Sequence, residues 1–196
     1  IAQRMQKDSA YVKSSKKAYN RKPDAFVITR AISAFERTLI SGNSNYDKFE
    51  YQGNSKALSN SQKRGKDLFF SDKLKCSECH TGFNFTDYSF QNNGLYLNYL
   101  DSGRMRLTSL ESDRDLFKVP TLRNIELTAP YMHDGNFTTL ELVIKHYETG
   151  GKDNPQKSNK IKGFKLKESE REDLIHFLES LTDSTFITNT SLSNPY

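Results

Sequence analysis

Cys76-Ser77-Glu78-Cys79-His80 holds both cysteines of the 196-residue chain. Thiols three residues apart can each form a thioether with one vinyl group of a haem, and the histidine beside the second can reach the iron. A structural zinc site would ask for a second pair of Cys or His ligands at similar spacing, and the sequence has none. A dithiol redox pair would ask for a strand-helix-strand surround, which the pattern does not offer either. The run therefore reads as a covalent haem c site, with Cys76 and Cys79 attached and His80 as one axial ligand.

A haem would also account for an unusual composition. Hydrophobic residues make up 35% of the chain and the mean hydropathy is -0.77, little for a core of this length to stand on. A buried macrocycle would supply apolar surface of its own. Both cysteines are used by the motif, so no disulfide framework remains to report on redox compartment. The net charge of +5 is spread over a mixed-sign surface. The lysines at 157, 160, 162, 165 and 167 read as a solvated loop, with an acidic partner as the other reading. No recognition motif interleaves the basic residues, so nucleic acid is not expected. Residues 1–10 carry no apolar signal core and no run approaches the ~18 apolar residues of a membrane span, so the chain reads as a mature or trimmed soluble one.

Along the chain, residues 1–20 suggest a short helix or an irregular lead-in. Lys22-Pro23-Asp24 should open a helix with proline in its first turn, and Phe26, Ile28, Ile32, Phe35 and Leu39 recur at helical spacing on a face expected to be buried. Ser41 to Asn45 should end it. Tyr46 to Leu58 reads as a polar joint between two lobes. A helix is expected from Asn60 or Ser61, leading into the cysteines. Residues 81–119 are loop-rich, and no alternation there lasts long enough for a sizeable sheet. Thr138-x-x-Glu141 and Ser169-x-x-Glu172 are capping boxes. The first opens a helix with Leu140, Val143, Ile144 and Tyr147 on one face and Gly150-Gly151 as its stop. The second opens one with a core stripe of Leu174, Phe177, Leu178 and Leu181. The Ser/Thr/Asn-rich tail should fray. The fold class is mostly α: a cytochrome-c-like haem domain with long loops.

Five pieces in order carry a resemblance: Ala34-Phe35-Glu36-Arg37-Thr38-Leu39, the C-x-x-C-H run, Val119 to Asn124, Ala129 to Gly135, and Asp173 to Thr182. Together they resemble the C-terminal part of the bacterial di-haem cytochrome c peroxidases, the family that also contains MauG. The resemblance implies three regions: a helical segment, 1–57, belonging with a first haem domain; a cytochrome-c-like domain, 58–185; and a tail, 186–196. One haem c would sit in this chain and a second, peroxidatic one upstream, so no catalytic residue is expected here. The implied function is electron relay in a periplasmic peroxidase that reduces hydrogen peroxide. Its electrons would come from a small donor such as a monohaem cytochrome c or a cupredoxin, with a homodimer left open. The alternatives are a MauG-like oxidase storing high-valent equivalents and a monohaem electron carrier without enzyme activity.

The same resemblance bears on the second axial ligand. Met132 opposite His80 would be the common cytochrome c arrangement. In the family, however, the ligand lies fourteen residues after the histidine of a Pro-Tyr-x-His motif, and from His133 that position is Tyr147; in MauG a tyrosine there binds iron. Tyr147 is therefore the expected ligand, Met132 the alternative, and His133 a neighbour of the haem that does not ligate it. His146 is a weaker candidate. The family's inter-domain calcium implies main-chain carbonyl ligands from Thr128 and Pro130. Leu74 stands where MauG carries a tryptophan, and the chain has no tryptophan at all, which speaks against hole transfer by the MauG route.

Overall fold

The computed structural model describes residues 1–193, and they fall into two compact units, 1–41 with the residues from 188 on, and 42–187. In the first unit a short helix α1 (Ala2–Met5) precedes α2 (Ser9–Tyr19) and α3 (Ala25–Glu36). Asp8 caps α2 by accepting from the N–H groups of Ala10 and Tyr11, and Asn20 closes it in the left-handed conformation at φ 53°. Asp24 is the N-cap of α3, accepting from Val27 N at 2.9 Å. Pro23 therefore sits one residue before the cap, not in the first turn as expected; the aspartate side chain satisfies an orphan N–H, which proline cannot do.

The apolar face read from α3 exists, but it is not buried. Phe26, Ile32, Phe35 and Leu39 are 39–53% exposed, and Val27 is the buried apolar residue of the helix. Periodicity reports that a helix has an apolar side and says nothing about what covers it. The helix also stops earlier than expected, at Glu36, leaving Leu39 beyond it.

The second unit opens with α4 (Asn45–Glu50), capped reciprocally by Ser44 and Asp47. Tyr46, Asp47 and Leu58 are each 5% exposed or less. Residues 46–58, expected as a polar joint, are thus anchored in this unit at both ends, while 50–56 between them are exposed. Helix α5 (Asn60–Phe69) follows, with Ser59 and Gln62 forming its capping box. It packs along α8 (Glu168–Glu179) at very close range. Gly65 makes that possible, because a Cβ there would lie 1.9 Å from the carbonyl oxygen of Asp173. Arg64 clamps the same aspartate from above with two bonds of 2.7 Å. The α8 stripe lands in the core as read: Leu174, Phe177, Leu178 and Leu181 are all buried, beside Phe69, Phe85, Tyr46 and Ile144.

Between these helices the chain is mostly loop. Two-residue strands β1 (Phe90–Gln91) and β2 (Phe117–Lys118) pair antiparallel, Phe90 opposite Lys118, and a short α6 (Met105–Thr108) lies between them. Amide side chains order the rest. Asn92, fully buried, accepts from Gly94 N at 2.8 Å and bonds Asn154, which in turn reaches Leu97 O and Asp115. Helix α7 (Leu140–Thr149) is capped by Thr139, which accepts from Leu142 N, and ends at Gly150 with φ 78°. The cap is one residue later than expected. Helix α8 begins at Glu168, where Glu170 accepts from Lys167 N at 2.8 Å, so its box is not the one at Ser169. In both cases several Ser, Thr and Glu compete, and the local pattern cannot choose among them. The expected tail also carries structure: α9 (Ser184–Ile187) and a 3₁₀ turn at Thr190–Leu192, while its last residues, 194–196, lie outside the described ones. No described helix is long and apolar enough to cross a membrane.

Candidate haem site

Lys75 enters the left-handed region at φ 58° and starts a 3₁₀ turn over Cys76–Glu78. With three residues per turn, positions i and i+3 eclipse, so this turn puts both cysteine side chains on one side. His80 N donates to Cys76 O at 3.0 Å and Asp87 N to Cys79 O at 2.8 Å, locking the run against the loop that follows. That loop bends back through Phe85, itself at φ 50° and buried. Its carbonyl oxygen accepts from His80 Nδ1 at 3.0 Å. The ring's other nitrogen, Nε2, is thereby the one left for a metal.

The loop is held in turn by a buried ion pair. Arg123 donates through Nη1 and Nη2 to Asp47 at 2.8 and 2.9 Å, and through Nε to Phe83 O at 2.7 Å. Its guanidinium lies 4.1 Å from the centre of the Phe83 ring. Asp47 did not stand out in the sequence, and Arg123, though inside the Val119–Asn124 piece, carried no hint of this partner, since the two are distant in the chain.

Across the site, Tyr147 projects from α7. Its phenol is pushed above its ordinary value by burial, with the side chain of Asn93 as its hydrogen-bonding neighbour working the other way and both cysteines within electrostatic reach. Asn93 Nδ2 also points at Met132 Sδ, 3.3 Å away. Tyr147 and Met132, the two candidate ligands, therefore converge on one amide. His146, the weaker candidate, has Nε2 bonded to Asn93 O at 3.0 Å. His133 is exposed and stacks on Phe117 with ring centres 3.9 Å apart. Thr128 and Pro130 lie in an exposed segment.

Burial pushes the Cys76 thiol up to about 12 and raises that of Cys79, where Lys160 opposes it. Burial also lowers His80, against hydrogen bonds to the carbonyls of Phe85 and Pro120. The imidazole is thus neutral at neutral pH, the form that binds a metal. Lys160 Nζ donates to Glu78 O at 3.1 Å and sits 3.7 Å from Cys79 Sγ. One lysine of the stretch read as a solvated loop is therefore part of the site; nothing in the spacing of five lysines singles it out. Asn93 was likewise readable only as turn punctuation.

The donor set fits a haem c: two thiols outside any disulfide on one side of a turn, an imidazole with Nδ1 already committed, and a half-buried phenol within electrostatic reach of both thiols. A helical fold closed around such a set is that of a c-type cytochrome domain. Comparison with known proteins carries this further. Residues 1–56 match the family model of the di-haem cytochrome c peroxidases and residues 62–182 that of cytochrome c. A methylamine utilization protein MauG of Methylorubrum extorquens is 41% identical over 155 residues, which is 79% of this chain and 43% of the relative. A cytochrome c551 peroxidase of Nitrosomonas europaea is 43% identical over 122 residues, 60% of this chain and 36% of the relative. Among solved structures, a MauG-like protein associated with microbial copper homeostasis superposes with a TM-score of 0.88 at 32% identity, over 99% of this chain and 64% of that one. The chain belongs to the di-haem cytochrome c peroxidase and MauG family, with a cytochrome c domain over residues 62–182. It spans less than half the length of the two curated relatives named.

Proposed function

We propose that this chain is the electron-relay part of a periplasmic di-haem peroxidase that reduces hydrogen peroxide with electrons from a small redox protein. The observation that carries the reading is a C-x-x-C-H turn with His80 oriented by Phe85 O and Tyr147 within electrostatic reach of both cysteines, in a chain whose first 56 residues match the di-haem peroxidases. The second haem would lie in the part of the relatives that this chain does not cover. A haem bound here supplies one-electron redox chemistry. Cys76 and Cys79 would tether it, and His80, its ring oriented by Phe85 O, and Tyr147, its oxygen steadied by Asn93, would hold the iron. Thr128 and Pro130 offer main-chain carbonyls to a calcium ion, which favours oxygen donors in flexible geometry. The apolar side of α3 packs with the first haem domain.

Counting covalently bound haems on the full gene product tests the class. Two haems per polypeptide with peroxide-dependent oxidation of a reduced monohaem cytochrome is the expected result; one haem and no peroxide turnover would overturn it.

Tyr147 favours a second reading, in which the site holds oxidising equivalents in the manner of MauG. A phenolate stabilises oxidised iron. In the holoprotein, Tyr147→Phe should change the haem absorption spectrum and raise the reduction potential by on the order of 0.1 V, a fraction of the roughly 0.8 V that axial ligands span. An unaltered spectrum and potential would remove Tyr147 from the ligand set and leave Met132 as the candidate.

A further inference from the structure

Four rings, those of Tyr96, Tyr99, Phe117 and His133, gather next to Asn93. Tyr99 meets Tyr96 edge to face with centres 5.4 Å apart, and packs on His133 at 5.5 Å and Phe117 at 5.8 Å. The inner hydroxyl, that of Tyr99, lies 3.2 Å from Asn92 Oδ1 and 3.4 Å from Asn93 Oδ1, and accepts from Leu95 N at 2.8 Å. Asn93 is the residue that also meets Tyr147 and Met132. Tyr99 is itself within electrostatic reach of Tyr147. An unbroken sequence of contacts thus runs from the proposed ligand, through one amide, to Tyr99 and then Tyr96.

Tyr96 is where that sequence meets water. Its ring borders an open cleft of about 480 Å³, and its hydroxyl donates to Asp134 Oδ2 at 2.6 Å. A phenol that loses an electron becomes strongly acidic, so its oxidation is easy only where an acceptor can take the proton at once. A carboxylate, ionised at neutral pH, is placed here to do so. Packing alone would call for the rings and would not call for the carboxylate.

We propose that Tyr99 and Tyr96 form a one-electron relay between the haem crevice and the surface cleft, with Asp134 as the acceptor of the Tyr96 phenolic proton. The proposal rests on the peroxidase reading, which supplies hydrogen peroxide as the ultimate oxidant. When peroxide has oxidised the haem system, Tyr96 gives one electron inward through Tyr99 and its O–H proton passes to Asp134, leaving a neutral tyrosyl radical and a carboxylic acid. A one-electron donor at the cleft then reduces the radical, and the proton returns from Asp134. The net change is one electron moved from donor to haem.

Two measurements on the full-length holoprotein test it. After freeze-quenching with peroxide, electron paramagnetic resonance should show a tyrosyl radical whose lines narrow when ring-deuterated tyrosine is incorporated. Tyr96→Phe should remove that signal and Asp134→Asn should diminish it, while Tyr11→Phe, outside the cluster, leaves it intact. In the second, a flash-generated ruthenium(III) tris-bipyridine oxidises the ferrous protein from outside, without peroxide. Haem oxidation should slow by an order of magnitude in Tyr96→Phe and not in Tyr11→Phe. A radical and a flash rate that are both indifferent to Tyr96 would overturn the relay. Should peroxide leave the haem spectrum unchanged while the flash rate still depends on Tyr96, the relay stands and the peroxidase reading falls.

Discussion

Asp47→Ala should lower the stability of the protein by about 3–5 kcal/mol, the usual cost of leaving one member of a buried ion pair without its partner. The magnitude follows from burial: the side chains of Arg123 and Asp47 are 4% and 1% exposed, so water cannot solvate the guanidinium that remains. Urea unfolding should show the loss as a lower midpoint, and a loss below about 0.5 kcal/mol, typical of surface sites, would contradict it. Replacing both residues, as in Asp47→Leu with Arg123→Met, should be far milder, because no charge is then stranded. The pair also has a pH signature. Burial works to raise the Asp47 carboxyl, but hydrogen bonds from Arg123 and Ser44 outweigh it and hold the group below the ordinary carboxylate range. A carboxylate depressed in the folded state stabilises at pH values above the unfolded pKa of about 3.9 and loses that contribution as the pH falls through the folded value. The wild type should therefore lose more stability on acidification than the double variant. The effect should reach the haem as well, since Arg123 holds Phe83 O and the same loop presents Phe85 O to His80.

Gly65→Ala should cost about 2–3 kcal/mol, at the upper end for overpacking. That corresponds to a fall in melting temperature of roughly 4–12 °C for a chain of this size. Alanine is the better helix former by about 1 kcal/mol, so a site with room would gain. Here the added methyl would meet backbone, 1.9 Å from Asp173 O and 2.5 Å from Asp173 C, and neither can rotate away. Helices α5 and α8 would have to separate, loosening Phe69 against Phe177, whose rings are 5.1 Å apart. Thermal melting followed by far-UV circular dichroism reads the change, and an unchanged or higher melting temperature would mean the helices have slack.

These two sites mark the limit of what the chain discloses before it folds. The haem turn and the α8 stripe were legible because each is local: a five-residue motif, and a 3.6-residue period running from Leu174 to Leu181. Tyr147 was reached through family spacing and through its place on the inward side of α7. The roles of Asp47, Arg123 and Asn93 were not legible, because each acts on a partner far along the chain that no local pattern names, even for Arg123 inside a quoted family piece. Gly65 looked like an ordinary helical glycine until the partner helix was in view. The capping boxes show a subtler loss: the right residue types were present, but neighbours one or two positions away could serve equally well, and tertiary packing chose among them.

The outward-facing side of α3 has a thermodynamic corollary. Phe26, Ile32 and Phe35 each keep more than a third of their surface in water, as do Leu39 and Ile40 just beyond the helix, and apolar area left wet forfeits roughly 25 cal/mol for every Å². That forfeited energy is a standing incentive to aggregate or to find a lid. Whatever shields this helix inside the cell would then govern the solubility of the polypeptide as much as its own folding does.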